Sequence, residues 1–409
     1  MKGIAYLKKK LDNKYHRCDL RYKYYEQKIY AHDLGISTPQ GLEWLNIVSG
    51  WNTKAVDNLA DRLQFDRWEN DTFNFTSMFD QNNADIFFDD AMLSALITSC
   101  SFVLVTRGIK NALGQKIRFQ VIDGRNATGI IDDYTKLLTE GYAVLDRDDK
   151  DEPTMWAYLT PGRTEIYEKG KEKPIAVEKF KSKYCALVPI IYRPDAKRLF
   201  GHSRISRACM DYTKYAMRTL KRMEISSEFY SFPQKYATGL AEDAEMDKWQ
   251  ASMSAMLTFT KDEDGQFPTL GQFQTGSMAP HVEQLKSIAS MFAGETGLTL
   301  DDLGFYTNNP SSAEAIKAGH DVLRLTAAKA QRCFGVGFKN VGYIGACIRD
   351  NMNYNREEVF ETKATWKPAF EPDSAMLSSI GDGVIKINQA MENGGYINED
   401  RMRRLTGIE

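Results

Sequence analysis

Two adjacent carboxylates, Asp301 and Asp302, are the residues of this chain best placed by type and spacing to do chemistry. Neighbouring aspartates can hold Mg²⁺ for phosphoryl transfer, provided that a phosphate cradle stands beside them. The sequence supplies none. It has no Walker A glycine-lysine loop, no His-Glu-x-x-His pair and no nucleophile elbow. A second acidic run, Asp146 to Glu152, lacks the glycine frame of a calcium loop and reads as a solvated hairpin turn. The five histidines, His16, His32, His202, His281 and His320, are isolated from one another. The six cysteines, Cys18, Cys100, Cys185, Cys209, Cys333 and Cys347, show no C-x-x-C pair and no histidine at zinc spacing. They read as reduced, buried thiols. Gly335-Val336-Gly337 follows no strand, and its third glycine is misplaced for a nucleotide fingerprint, so close helix packing is the better account. No catalytic residue, metal ligand set or cofactor is expected.

The two aspartates stand in a joint between helices. Met291-Phe292-Ala293 ends one helix and Gly294 is expected to close it in the left-handed conformation. Asn308-Asn309-Pro310 then restarts the chain, with Ser311 and Glu314 spaced as a capping box. Between them lie Leu303-Gly304-Phe305 and no basic residue. An irregular connection beyond about 12 residues is uncommon and tends to be functional.

The elements around this joint follow from composition and pattern. A chain of 409 residues, 43% hydrophobic and 26% charged, can bury a large core in roughly two to four domains. A net charge of −2 argues against a dedicated nucleic-acid binder, so any DNA contact is weak or local. The N-terminal segment lacks an apolar signal core, and the longest uncharged run, Ala91 to Thr106, falls short of the ~20 apolar residues of a membrane span.

From Lys2 to Gln64 the pattern is helical and rich in lysine and tyrosine, and its basic face reads as solvated. After a helix near Ala84 to Ser99, runs of period two (SFVLVTR, KIRFQVID, EGYAVLDRD, MWAYLTPGRTEIYEKG, IAVEKFKSKY) predict antiparallel strands and hairpins. Ser203 is expected to cap a helix reaching about Tyr230. Its apolar side carries Tyr215 and Leu220, and its other side Arg207, Lys214, Arg218, Lys221 and Arg222. A small α/β excursion follows, and a returning helix carries Val282, Leu285, Ile288, Ala289 and Phe292 on one side. A long helix from Ser312 to about Asn351 holds five glycines and is expected to bend or break between Gly335 and Gly345. Two short helices close the chain after Pro368, the first ended by Gly394-Gly395 and the second begun at Asn398.

GETGLTLDDLGF followed by NNPSSAEAIKA resembles the tunnel-loop region of tailed-bacteriophage portal proteins. YYEQK, LGISTP, WNTKAVDNLADRLQF, SEFYSFPQKYATG, TKDEDGQFP and APHVEQLKSIASMFAGETG are similar to that family's phrases in the same order. The resemblance covers almost the whole chain and is most specific from Ser203 to Gly319. It implies an α+β portal fold of the long-tailed siphophage type. The implied parts are a wing (1–202, with its return and spine helix at 312–368), a two-helix stem (203–228 and 279–295), a clip (229–278), a tunnel loop (296–311) and a helical crown (369–409).

That resemblance also implies a function: a ring, commonly of twelve subunits, at one capsid vertex of the virion, through which double-stranded DNA is packaged and ejected. Asp301, Asp302, Asn308 and Asn309 would face the passing DNA. Tyr215, Leu220, Leu285 and Phe292 would form the stem and subunit interface, and Glu242, Asp243, Glu245 and Asp247 the docking clip. The implied partners are further copies of the chain, the terminase large subunit that hydrolyses ATP, the major capsid and scaffolding proteins and a head-completion adaptor. Assembly in the bacterial host cytoplasm is implied, with no membrane partner. The alternatives are a structural ring or adaptor that does not conduct DNA and, third, a metal-dependent phosphoryl-transfer enzyme.

Overall fold

The computed structural model describes residues 2–31, 42–108, 116–231, 235–238, 269–272, 276–305 and 319–370, with scattered positions between 378 and 389. The chain is a mixed α/β protein.

Helix α1 (Ile4–Tyr25) lays Leu7 and Leu11 onto Tyr142 and Val144 of strand β5 (Leu138–Arg147), a small core of its own. This anchors the N-terminal helix to a five-stranded antiparallel meander, in the order β4 (Ala127–Ile131), β5, β6 (Pro153–Thr160), β7 (Arg163–Glu168) and β8 (Ala176–Lys179). The acidic run falls at the β5–β6 turn, as its sequence indicated. There Asp148 accepts the backbone N–H groups of Lys150 and Glu152, and Lys169 pairs with Glu152 at 2.5 Å.

The main core gathers around a three-stranded antiparallel sheet ordered β3 (Ile117–Ile122), β2 (Cys100–Arg107), β9 (Leu187–Ile191). β9 reads as a continuous apolar run rather than an alternation because all five of its residues are buried. Its Pro189 is tolerated because β9 is an edge strand. Helices α2 (Trp51–Ala60), α3 (Phe75–Asp80) and α4 (Ala84–Thr98) contribute to the same core. α4 meets the long C-terminal helix through Phe88 and Phe338, whose rings lie 4.6 Å apart. Strands β1 (Phe65–Glu69) and β12 (Lys363–Trp366) pair with each other, joining the two ends of the core.

Helix α5 (Arg207–Ser231) leads out of the core, and strands β10 (Lys235–Thr238) and β11 (Thr269–Gln272) pair antiparallel beyond it. Helix α6 (Ala279–Thr296) returns. Ser206 at the start of α5 donates to Glu295 at the end of α6, and Ser226 near the end of α5 meets His281 near the start of α6. The two helices are therefore antiparallel neighbours.

Three sequence expectations are corrected here. The cap of α5 is Ser206, whose hydroxyl accepts the N–H of Cys209. Ser203 instead binds the carbonyl of Ile97. Lys221 is not on a solvated basic face but is buried. Finally, helix α7 (Asp321–Asp350) runs unbroken through four of its predicted weak points, because those glycines make room for neighbours. A Cβ on Gly337 would stand 2.9 Å from Ile190, on Gly342 2.8 Å from the Phe75 ring and on Gly345 2.5 Å from the Met78 sulfur. Tertiary packing of that face offsets the helix propensity that glycine forfeits. The expected start of this helix at Ser312, with its Ser311 and Glu314 capping box, lies outside the described residues, as do Gly394, Gly395 and Asn398.

All six thiols are free; five are buried and Cys333 is half-buried. Among the described residues no helix is long and apolar enough to cross a membrane, and no group of three or more histidine, cysteine or acidic residues could hold a metal ion.

Candidate functional site

The joint after α6 is a folded turn rather than an irregular loop over its described part. Gly297, at φ 70°, closes α6 and donates its N–H to the Ala293 carbonyl. Gly294, the expected closing residue, is inside the helix with open space where its Cβ would be. The helix continues about a turn further, and within it Thr296 donates its hydroxyl to the Phe292 carbonyl at 2.8 Å.

Residues Asp301–Leu303 then form one 3-10 turn. The Asp302 carboxylate accepts the Thr299 N–H at 2.9 Å and its hydroxyl at 3.0 Å, while the Asp302 N–H donates back to the Thr299 oxygen at 3.2 Å. This reciprocal pairing satisfies donors that a helix start leaves open. Gly304, at φ 88°, ends the turn by donating to the Asp301 carbonyl. The His320 ring stands 3.8 Å from the same Asp302 carboxylate.

Asp302 is thus half-buried and engaged in holding the turn, and Asp301 alone of the pair is exposed. Asn308 and Asn309 lie outside the described residues, as do Glu242, Asp243, Glu245 and Asp247.

Sequence reasoning missed the residue that seats this turn on the core. The Arg204 side chain is buried, with its guanidinium donating to the carbonyl of Thr296 and, at 3.2 Å, to that of Ala55 in α2. A cation at a helix C-terminus is favourable, and here it also satisfies two carbonyls. Nothing in the phrase HSRIS marks this arginine, because both acceptors are backbone atoms distant in sequence. Close by, Trp51 packs against Phe292 at 5.5 Å and Phe305 at 6.4 Å. A buried Asn52 donates to Thr213 at 2.8 Å, tying α2 to α5.

The four residues assigned to the stem separate. Phe292 is fully buried within the subunit, so its packing is intramolecular. Tyr215 is 52% exposed and lines a groove of about 210 Å³ between α5 and α6 with Arg218, Arg222, Gln284 and Ile288. Leu220 and Leu285 are half-buried, and Val282, expected on the apolar side, is 49% exposed.

The described elements here are thus a return helix antiparallel to α5, a capped turn after it and a long helix beyond. The family model for phage portal protein, SPP1 Gp6-like, matches residues 4–381, and the chain belongs to that family. It is 28% identical over 237 residues to the portal protein of Mycobacterium phage L5, and 28% identical over 236 residues to that of Mycobacterium phage D29. Each match covers 53% of this chain and 48% of the relative, so the aligned segment spans about half the length of those curated relatives. In shape it is similar to a chain in the virion of a native gene transfer agent particle, with 11% identity, a TM-score of 0.45, and coverage of 88% and 90% of the two chains. A chain in the neck of the native particle computed with C12 symmetry gives 12% identity and the same TM-score and coverage.

Proposed function

We propose that this chain is a ring-forming portal subunit at one vertex of a phage capsid, the passage for double-stranded DNA during packaging and ejection. The observation that carries the reading is the order and pairing of α5, the β10–β11 excursion and α6, followed directly by the capped turn at Asp301. An antiparallel helix pair with a small excursion at its far end is what a stem with a clip requires.

On this reading, α5 and α6 are the stem, the segment between them docks terminase and later the head-completion adaptor, and the turn with its continuation faces the bore. Capsid and scaffolding proteins contact the ring from outside, and residues 369–409 form the crown. Exposed Asp301, repeated around a ring, keeps the wall repulsive to phosphates and lets DNA slide. The subunit need not be an enzyme, since the motor is a separate protein.

Negative-stain imaging of the purified protein, followed by a packaging assay on proheads carrying it, tests the proposal. Rings with an axial hole that support packaging are expected. Monomers would overturn it, and rings that assemble into heads without passing DNA would assign the chain to a non-conducting adaptor.

A further inference from the structure

A cleft opens between the N-terminal helix and the loop that leads into α5. It has a volume of about 770 Å³ and is formed between α1, the start of β2 and the loop 197–203. Lys9, Lys10, Lys14 and Arg17 from the helix converge there with Lys197 and Arg198 from the loop. Among the described residues no aspartate or glutamate lines it, and none forms an ion pair with these six. For a chain of net charge −2, this is a strong local segregation of charge.

The cations are held in place. Glu140 accepts the backbone N–H groups of Lys2 and Gly3, fixing the start of α1, and Lys10 donates to the Gly129 carbonyl at 2.7 Å. Lys14 is half-buried, with its ammonium 4.9 Å from the Phe102 ring centroid. The opposite wall is shaped by Gly201 at φ 73°, where any Cβ would stand 2.0 Å from the Tyr192 carbonyl oxygen. Aromatic rings alternate with the charges: Lys10 sits over Phe200 at 4.9 Å, and Tyr6 is 43% exposed at the rim.

We propose that this cleft is a binding site for phosphate oxyanions and takes the phosphodiester backbone of a nucleic-acid strand. The chemistry follows from the lining. Ammonium and guanidinium groups are donors suited to phosphate oxygens, and a linear stripe of them along a helix meets a linear polyanion; the nearby Asp195 carboxylate is engaged by His202 and by the Lys197 and Arg198 N–H groups. A positive groove interleaved with aromatic rings is the arrangement that binds nucleic-acid strands without reading sequence. Burial, then the neighbouring ammonium groups of Lys14 and Lys2, pushes the Lys10 pKa down, and burial does the same to Lys14. An anion relieves both.

The test is fluorescence anisotropy of labelled single-stranded and duplex oligonucleotides on the full chain at several salt concentrations, with inorganic tripolyphosphate and poly-glutamate as competitors. The exposed trio Lys9→Ala, Arg17→Ala and Lys197→Ala should weaken binding at least about tenfold and reduce the salt slope by about 0.7–0.9 per lost phosphate contact. A control trio, Lys171→Ala, Lys173→Ala and Lys179→Ala, should leave binding unchanged; equal loss in both would reduce the effect to net charge and overturn the site. Competition by tripolyphosphate supports phosphate chemistry. Binding of tripolyphosphate without any oligonucleotide binding would keep that chemistry and assign a free polyphosphate as its source. Displacement by poly-glutamate as effective as by tripolyphosphate, or no binding of either phosphate ligand, would overturn the proposal. The proposal goes beyond the conduit reading and is independent of it, because cleft binding can be measured whether or not the chain forms rings.

Discussion

The Arg204 guanidinium donates to the carbonyl of Thr296, 92 residues further along the chain, and so holds the end of α6 against the base of α5. Burial makes that contact consequential. A buried guanidinium must find acceptors, and the last carbonyls of a buried helix must find donors, so each satisfies the other. Replacement Arg204→Met keeps the apolar stem but orphans the Thr296 and Ala55 carbonyls. We expect a loss of about 2–3 kcal/mol in denaturant unfolding, and faster amide exchange at 296–305 than elsewhere. Uniform exchange across the chain would show that the arginine does not seat the turn.

The paired aspartates should separate in their effects. Asp302→Ala removes the carboxylate oxygen that accepts both the Thr299 N–H and its hydroxyl and should cost about 1 kcal/mol, with the turn's amides losing protection. Asp301→Lys touches no such bond; it should leave stability within about 0.5 kcal/mol while slowing packaging in a salt-dependent way, because an added cation on the bore retains phosphates. Packaging at normal speed at every salt concentration would remove Asp301 from the DNA path.

Two glycines make an opposed pair. Gly342→Ala drives a methyl into the Phe75 ring, 2.8 Å from where the Cβ would stand, and should destabilise by about 1–3 kcal/mol. Gly294→Ala places the same methyl in open space inside a helix and should stabilise by about 0.5–1 kcal/mol. Thermal melts of the two variants should move in opposite directions.

Asp195 supplies a pH-dependent term in the cleft-forming loop. The His202 ring at 2.5 Å, and then the Arg198 N–H, hold its pKa down at about 2. A depressed carboxyl pKa contributes stability that is present above its unfolded value, near 3.9, and lost as pH falls toward about 2. The stability difference between wild type and Asp195→Asn should therefore shrink as pH falls below about 4. A difference that grew on acidification would refute the assignment.

Periodicity carried the strand-rich region and the three long helices into the sequence because one face of each is apolar and the other is not. It failed where burial is complete, as in β9, whose five buried residues leave no alternation. It also failed where stability comes from a neighbour: α7 looked breakable by composition, and only Phe75, Met78 and Ile190 explain why its glycines belong there. The joint was legible as a place but not as a geometry. Thr299 and Asp302 have capping spacing, yet two adjacent acids read as charge, and the share of that charge engaged in the turn is set by the folded geometry. Arg204 gave no signal because its acceptors are backbone.

The stem residues yield the sharpest test of assembly, since α5 and α6 carry two kinds of apolar side chain. Phe292 is fully buried against Trp51, whereas Tyr215 and Val282 are about half exposed. An aspartate at Phe292 places an unpaired charge in the subunit core and should abolish the folded state itself, read as loss of cooperative unfolding. Tyr215→Asp and Val282→Asp meet solvent in the isolated subunit, so far-UV circular dichroism and melting should stay close to wild type. If those side chains are covered by the next subunit, the charges become costly only on association, and light scattering should report monomers or small oligomers in place of rings. Folded rings of unchanged mass from the Tyr215→Asp, Val282→Asp double variant would show that this face of the stem is free in the assembly, and the contact between subunits would have to be sought on another surface.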